Sequence, residues 1–205
     1  MKKEQIINSL ITKHSYKKYL EIGVRGGDSF KNINCETKIG VDPRPTYRAP
    51  NIRVETSDQF FDSLTDDDKF DIVFIDGLHL EHQSDKDVAN SINHLSKGGL
   101  IVMHDCSPKT IHEAREVYED YSTPAGSRWN GTVYKTIIKL RCNDPSLYIY
   151  TVDCDEGCAV LDPSKTQETF TKVPCEDLLN NFDLFSDHRK EVLNLISPEE
   201  FKQSL

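Results

Sequence analysis

Lys18-Tyr19-Leu20-Glu21-Ile22-Gly23-Val24-Arg25-Gly26-Gly27-Asp28 is an apolar, β-branched run that breaks into a glycine-rich turn and then reaches a helix-start residue. A strand over Lys18 to Val24 followed by a short helix from Asp28 is the opening unit of a parallel sheet. The turn lies at the carboxyl end of the strand, where a ligand can approach backbone N–H groups closely. Further runs of strand length follow at Lys38 to Val41, Ile52 to Glu55, Asp71 to Asp76, Leu100 to His104, Leu147 to Val152 and Cys158 to Leu161. The first five are separated by stretches long enough for right-handed crossovers, whereas Asp153 to Gly157 permits only a hairpin between the last two. The expected fold class is α/β: a doubly wound, seven-stranded, mostly parallel sheet with an antiparallel last hairpin.

Helices are expected over Lys3 to Lys13, from Asp28, around Asp58 to Leu64, over Glu81 to Leu95, over Lys109 to Tyr121 and over Thr132 to Leu140, with Lys97-Gly98-Gly99 as a stop signal. Ser122 to Asn130 reads as a surface loop because of its Pro, Gly and Ser content. Residues 1–174 form the expected domain, and Cys175 to Leu205 a helical appendage of it, strongest over Asp187 to Ile196.

The 205 residues, 37% hydrophobic and 29% charged, fit one soluble globular domain. Apolar runs such as Ile72 to Ile75 fall far short of the roughly 20 residues that cross a bilayer. Asn8 and Ser9 interrupt the apolar part of the start, so no secretory signal and no membrane association are expected, and the expected compartment is the cytosol. With 25 basic against 34 acidic residues the net charge is -9, which argues against nucleic acid as a partner and leaves a small-molecule or sugar acceptor; a homo-oligomer is compatible with it. The six cysteines include no CxxC pair, and Cys154-x3-Cys158 lacks the second pair of a zinc site, so all are expected as reduced packing residues.

Glu21 stands where the dinucleotide fingerprint requires its first glycine, and no Gly-Lys-Ser/Thr follows, so neither a pyrophosphate loop nor a Walker A loop is present. A carboxylate there repels pyrophosphate and attracts an ammonium or sulfonium. Asp42, at the end of the second strand, is placed to accept hydrogen bonds from both ribose hydroxyls.

Glu21-x-Gly23-x-x-x-Gly27 resembles motif I of class I S-adenosylmethionine-dependent methyltransferases, and Asp42 matches their ribose-binding acid. The likeness extends to the subgroup related to small-molecule and sugar O-methyltransferases through Thr56-Ser57-Asp58-x-Phe60-Phe61, Phe74-Ile75-Asp76-Gly77-Leu78-His79, His104-Asp105-Cys106-x-Pro108 and Trp129-Asn130-Gly131 followed by Lys135. The resemblance implies a Rossmann-like fold, S-adenosyl-L-methionine as cofactor, and methylation of a small hydroxylated acceptor such as a sugar or natural product. It implies cofactor-binding roles for Glu21, Gly23, Gly27, Asp42 and Asp76, with Ser57 and Asp58 against the adenine. Those two also read as an N-cap for the helix that follows.

Asp76-Gly77-x-His79 and His104-Asp105 put ionisable groups at neighbouring strand ends, outside the carboxyl edge where open α/β sheets bind ligands. Transfer to an aliphatic hydroxyl requires its deprotonation, by a general base such as His79 or by a divalent cation. Asp76, His79 and His104 are therefore the candidate catalytic residues. By likeness to metal-dependent catechol-type O-methyltransferases, Asp76, His104 and Asp105 are the candidate metal ligands. A nitrogen from His104 suits manganese, iron or zinc better than magnesium.

Trp129 and Asn130 are candidates for an acceptor wall, against a Trp that only anchors its loop. His82, His94 and His112 read as solvated, and Arg25 and Arg44 as exposed, with cofactor contacts as the alternative. The competing functions are an NAD- or nucleotide-sugar-dependent oxidoreductase, which Glu21 disfavours, and a non-catalytic cofactor-binding protein. DNA methylation is not expected, because no Asn/Asp-Pro-Pro-Tyr/Phe sequence follows the fourth strand.

Overall fold

The computed structural model describes residues 1–205. In chain order the elements are α1 (Lys3–His14), β1 (Lys18–Ile22), α2 (Asp28–Asn32), β2 (Thr37–Val41), β3 (Ile52–Arg53), α3 (Ser57–Asp62), β4 (Phe70–Ile75), α4 (Glu81–Asn93), β5 (Leu95–Met103), α5 (Val133–Asn143), β6 (Tyr148–Val152), β7 (Cys158–Asp162), α6 (Cys175–Asn180), α7 (Phe182–Val192), β8 (Leu195–Ile196) and α8 (Pro198–Gln203). The strands form one sheet in the order β3-β2-β1-β4-β5-β7-β6-β8. Only the pairings made by β7 are antiparallel.

Alternation along the central strands sorts their side chains onto two faces. Tyr19, Ile72, Phe74, Val102 and Val160 point to one, where they meet Ile6, Ile7, Leu10 and Ile11 of α1, Phe30 of α2 and Phe201 of α8. Leu20, Ile22, Val73, Ile75, Ile101 and Met103 point to the other, against Val88 of α4, Ile137 and Ile138 of α5 and Phe185 of α7. Each such buried side chain contributes roughly 1.5–3 kcal/mol. No helix is long and apolar enough to cross a membrane.

The chain leaves β1 toward β2 and β3, then returns to place β4 on the other side of β1, which opens a crevice between the carboxyl ends of β1 and β4. Gly23 closes the floor of that crevice at φ +91, where a Cβ would lie 2.0 Å from the Asp76 carbonyl oxygen. Only glycine lets the turn after β1 rest on the end of β4.

Several sequence expectations are corrected. Residues 109–121 form turns and no helix. The Arg115 guanidinium reaches the carbonyls of His112, Val117, Tyr118, Gly126 and Arg128 at 2.6–3.3 Å, and the Glu113 carboxylate accepts the N–H groups of Lys109 at 2.7 Å and Thr110 at 3.1 Å. Side chains thus satisfy backbone groups that a helix would pair internally. Lys97 to Gly99 lie inside β5 rather than after a helix, with a register shift against β4 between Phe70 and Ile72. The sheet has eight strands instead of seven, because Leu195 and Ile196 pair with Thr151 and Val152 on the open edge of β6. The N-cap of α3 is Thr56, in a capping box with Gln59, so Ser57 and Asp58 are free of that duty.

Candidate active site

A cavity of about 900 Å³ lies over the carboxyl ends of β1, β2, β4 and β5. At one end Asp42 is planted by two backbone donors: Oδ2 accepts the Arg25 N–H and Oδ1 the Arg44 N–H, each at 2.7 Å. Each oxygen keeps a further lone pair for a diol. Gly27, at φ +73, packs against the ring of Tyr47, where a Cβ would come within 2.6 Å. Arg25 and Arg44 are exposed and line the cavity mouth.

Glu21 is 1% exposed and its Oε2 accepts the Tyr19 hydroxyl. Burial pushes its carboxyl up to about 8, against the lowering influence of that hydrogen bond and of Lys3 and Lys38. A cation arriving beside it restores the carboxylate. The far wall is polar: the Gln83 amide of α4 sits among Ser57 Oγ at 3.2 Å, Asp58 Oδ1 at 2.9 Å and Asp87 Oδ1 at 3.1 Å. Asp87 is buried, which raises its carboxyl above the usual range.

At the other end the four ionisable groups of the strand ends converge. His79 Nε2 is 3.4 Å from Asp76 Oδ1 and 3.3 Å from Asp105 Oδ2, and His104 Nδ1 is 3.4 Å and 3.0 Å from the same two oxygens. Burial lifts the Asp76 carboxyl, but His104, His79 and Lys3 around it pull it well below the usual carboxylate range. Burial lowers the basicity of His79, and Asp76 and Asp105 more than reverse that, leaving it raised. Asp76 Oδ1, His79 Nε2 and Asp105 Oδ2 form a group whose atoms lie within 4.8 Å of one another.

The Trp-Asn-Gly segment holds this end in place. Trp129 accepts the Nδ1–H of His79 on its carbonyl at 3.1 Å, and its indole N–H donates to the Arg115 carbonyl at 2.7 Å. Asn130 is fully buried, with its amide nitrogen 3.3 Å from Asp105 Oδ1 and 3.2 Å from the Glu156 carbonyl, while its own Oδ1 has no partner. Gly131, at φ +63, lets the chain pass the His79 carbonyl, which a Cβ would meet at 1.8 Å. Trp129 therefore anchors its loop and lines the cavity at once.

Residues 20–106, which span the glycine turn and the ends of β1, β2, β4 and β5, match the family model described as a methyltransferase domain. This stretch is thus similar to a methyltransferase domain. Solved structures share its fold at low identity. A Klebsiella pneumoniae protein provisionally assigned as an O-methyltransferase has 16% identity, a TM-score of 0.55 and coverage of 78% of each chain. A Podospora anserina methyltransferase solved with S-adenosylhomocysteine has 13% identity, a TM-score of 0.54 and coverage of 80% of this chain and 78% of that one. The O-methyltransferase TomG of Streptomyces achromogenes, solved with S-adenosylmethionine, has 11% identity, a TM-score of 0.53 and coverage of 78% of both chains. No curated protein matches the sequence.

The sequence-derived candidates Glu21, Gly23, Asp42, Ser57, Asp58, Asp76, His79, His104, Asp105 and Trp129 line the cavity, whereas Gly27 lies behind the turn and Asn130 is fully buried behind Asp105 instead of forming an acceptor wall. The cavity's metal-like trio contains His79 where sequence reading put His104. His82 is exposed, whereas His94 is half-buried, stacked on Phe61 with Nδ1 3.0 Å from the Asp68 carbonyl. Three residues escaped sequence reading: Lys3, whose Nζ is 2.7 Å from Asp76 Oδ2, and Gln83 and Asp87 of α4. A polar stripe on α4 where an apolar one is expected was the only local signal for the last two.

Proposed function

We propose that the chain is an S-adenosylmethionine-dependent O-methyltransferase of a small hydroxylated acceptor, such as a sugar or natural product. The observation that carries this reading is one continuous crevice running from Asp42 past Glu21 and Gly23 to Asp76 and His79. Asp42 would accept the ribose hydroxyls, Ser57 and Asp58 would flank the adenine, and Glu21 would face the cationic amino acid end. Bound there, the cofactor supplies a sulfonium methyl group, whose bond to sulfur breaks as a bond to the acceptor oxygen forms.

The chain's own work is alignment and removal of one proton. His79 Nε2 would take the hydroxyl proton as general base, its ring held by Trp129 and its basicity raised by Asp76 and Asp105. A second way of activating the hydroxyl is favoured by the tautomer that Trp129 imposes. With Nδ1–H spent on a carbonyl, Nε2 offers a lone pair beside two carboxylate oxygens, the arrangement of a metal-ligating histidine. The donors fit a divalent cation of the manganese, iron or zinc type, which Asp76, His79 and Asp105 would hold and which would lower the hydroxyl pKa.

Calorimetry with S-adenosylmethionine and NAD, followed by methyl transfer to a panel of sugars and hydroxylated natural products, tests the reading. Binding of NAD in preference to S-adenosylmethionine would replace it with a dehydrogenase. Cofactor binding without turnover on any acceptor, unaltered in Asp76, His79 and Asp105 variants, would favour a binding protein.

A further inference from the structure

The hairpin turn between β6 and β7 carries a cluster that methyl transfer leaves unused. His104 Nε2, an Asp155 carboxylate oxygen and Cys158 Sγ lie within 4.8 Å of one another. His104 is 8% exposed and its Nε2 has no hydrogen-bond partner, since Asp155 Oδ2 stands off at 3.8 Å. A buried ring nitrogen left unpaired is costly, and a ligand there would relieve that cost. The other nitrogen, Nδ1, lies 3.0 Å from Asp105 Oδ2. With Nδ1 occupied there, Nε2 is the nitrogen left to face a ligand, and a cation bound at it would take the place of a proton. A ligating histidine is held in this way, with a carboxylate on the far nitrogen.

The cysteine spacing looks different in this setting. Cys154-x3-Cys158 lacks a second pair in sequence, but the fold brings the missing ligands from elsewhere: His104 from the end of β5 and Asp155 from within the turn. The turn is clamped to the segment after β5 by Cys106 N–H to the Gly157 carbonyl and Ser107 N–H to the Glu156 carbonyl, both at 3.0 Å. The ligands therefore sit on mutually fixed backbone.

We propose that His104 Nε2, Cys158 Sγ and Asp155 hold a zinc-class divalent cation. Imidazole and thiolate select zinc over magnesium or calcium. Bonds of about 2.0–2.3 Å draw neighbouring ligand atoms to roughly 3.5 Å in a tetrahedron, a contraction within reach of side-chain rotation. The ion would tie the β6–β7 turn to β5 and fix the ring whose N–H holds Asp105. This site is separate from the harder Asp76, His79 and Asp105 group and stands whether or not methyl transfer is the activity.

Cobalt(II) alone, titrated into the reduced, chelator-treated full chain, tests the proposal. A thiolate-to-cobalt charge-transfer band in the near ultraviolet is expected. The band should vanish in Cys158→Ala and persist in His79→Ala, which removes only the neighbouring group's nitrogen. Asp155→Gly, which tolerates the φ of +47 at that position, should weaken cobalt binding at the band by roughly tenfold or more, the scale of disturbed metal shells. Should Cys158→Ala fail to fold, Asp155→Gly decides. Cobalt binding without a thiolate band, or a band unchanged in both variants, overturns the proposal.

Discussion

The imidazole of His79 stacks on the indole of Trp129, with centroids 4.8 Å apart and planes at 19°, and donates Nδ1–H to the carbonyl of the same residue. One residue thus fixes both the plane and the tautomer of the candidate base. His79→Ala should lower turnover by roughly 100-fold or more, with cofactor affinity within a factor of about two. A fall of less than tenfold in steady-state methyl transfer would move proton removal to another group.

The pH profile carries a sign. A base must be neutral, and Asp76 and Asp105 outweigh burial to hold the proton on His79 to higher pH than on a free imidazole. The acid limb of the turnover profile should lie above about 6.5 in the native chain and move down in Asp105→Asn. An unmoved limb would assign it to a group that Asp105 does not touch.

Glu21 gives a second pH signature, in binding. Its carboxyl, pushed up to about 8 by burial, is largely protonated at neutral pH, and a cationic cofactor favours the ionised form. Affinity for S-adenosylmethionine should rise as pH approaches about 8 and flatten above it, and Glu21→Gln should remove the slope. Calorimetry across that range reads the outcome, and a slope kept by the Gln variant would refute the role.

Asp42→Ala should weaken cofactor binding by about 1 to 3 kcal/mol, the scale of lost charge-assisted hydrogen bonds. Asp42→Asn should lose less, because its side-chain oxygen can still accept one of the two N–H groups that now hold the carboxylate. Equal affinity in wild type and Asp42→Ala by calorimetry would exclude the ribose assignment.

Chelator separates the two ways of activating the hydroxyl. With His79 as base, turnover survives chelator treatment. A loss that manganese restores would assign activation to a cation on Asp76, His79 and Asp105 instead.

Much of this site was legible because burial does not explain ionisable residues at the ends of apolar strands. Glu21, Asp42, Asp76, His104 and Asp105 each follow such a run, and the order of the strands brings them together. Lys3 was not legible: nothing local marks a lysine at the start of an apolar helix, and only the packing of α1 across the sheet carries it to Asp76. The turns at 109–121 escaped for the same reason. Residues Glu113 and Arg115 suit a helix locally, and their choice of backbone partners depends on Asn130, Gly126 and Arg128, far along the chain. Arg115→Ala should therefore cost about 1 to 3 kcal/mol of stability, a melting shift of several degrees, and reduce turnover through Trp129.

The reversed direction of β7 has a wider effect. A parallel strand would begin at the opposite rim of the sheet, away from the chemistry. Because β7 runs the other way, its leading turn arrives beside His104 and Asp105, and Glu156 reaches the cavity wall. That short turn is thus a place where a change of length or charge would reshape acceptor selection while leaving the nucleoside end untouched.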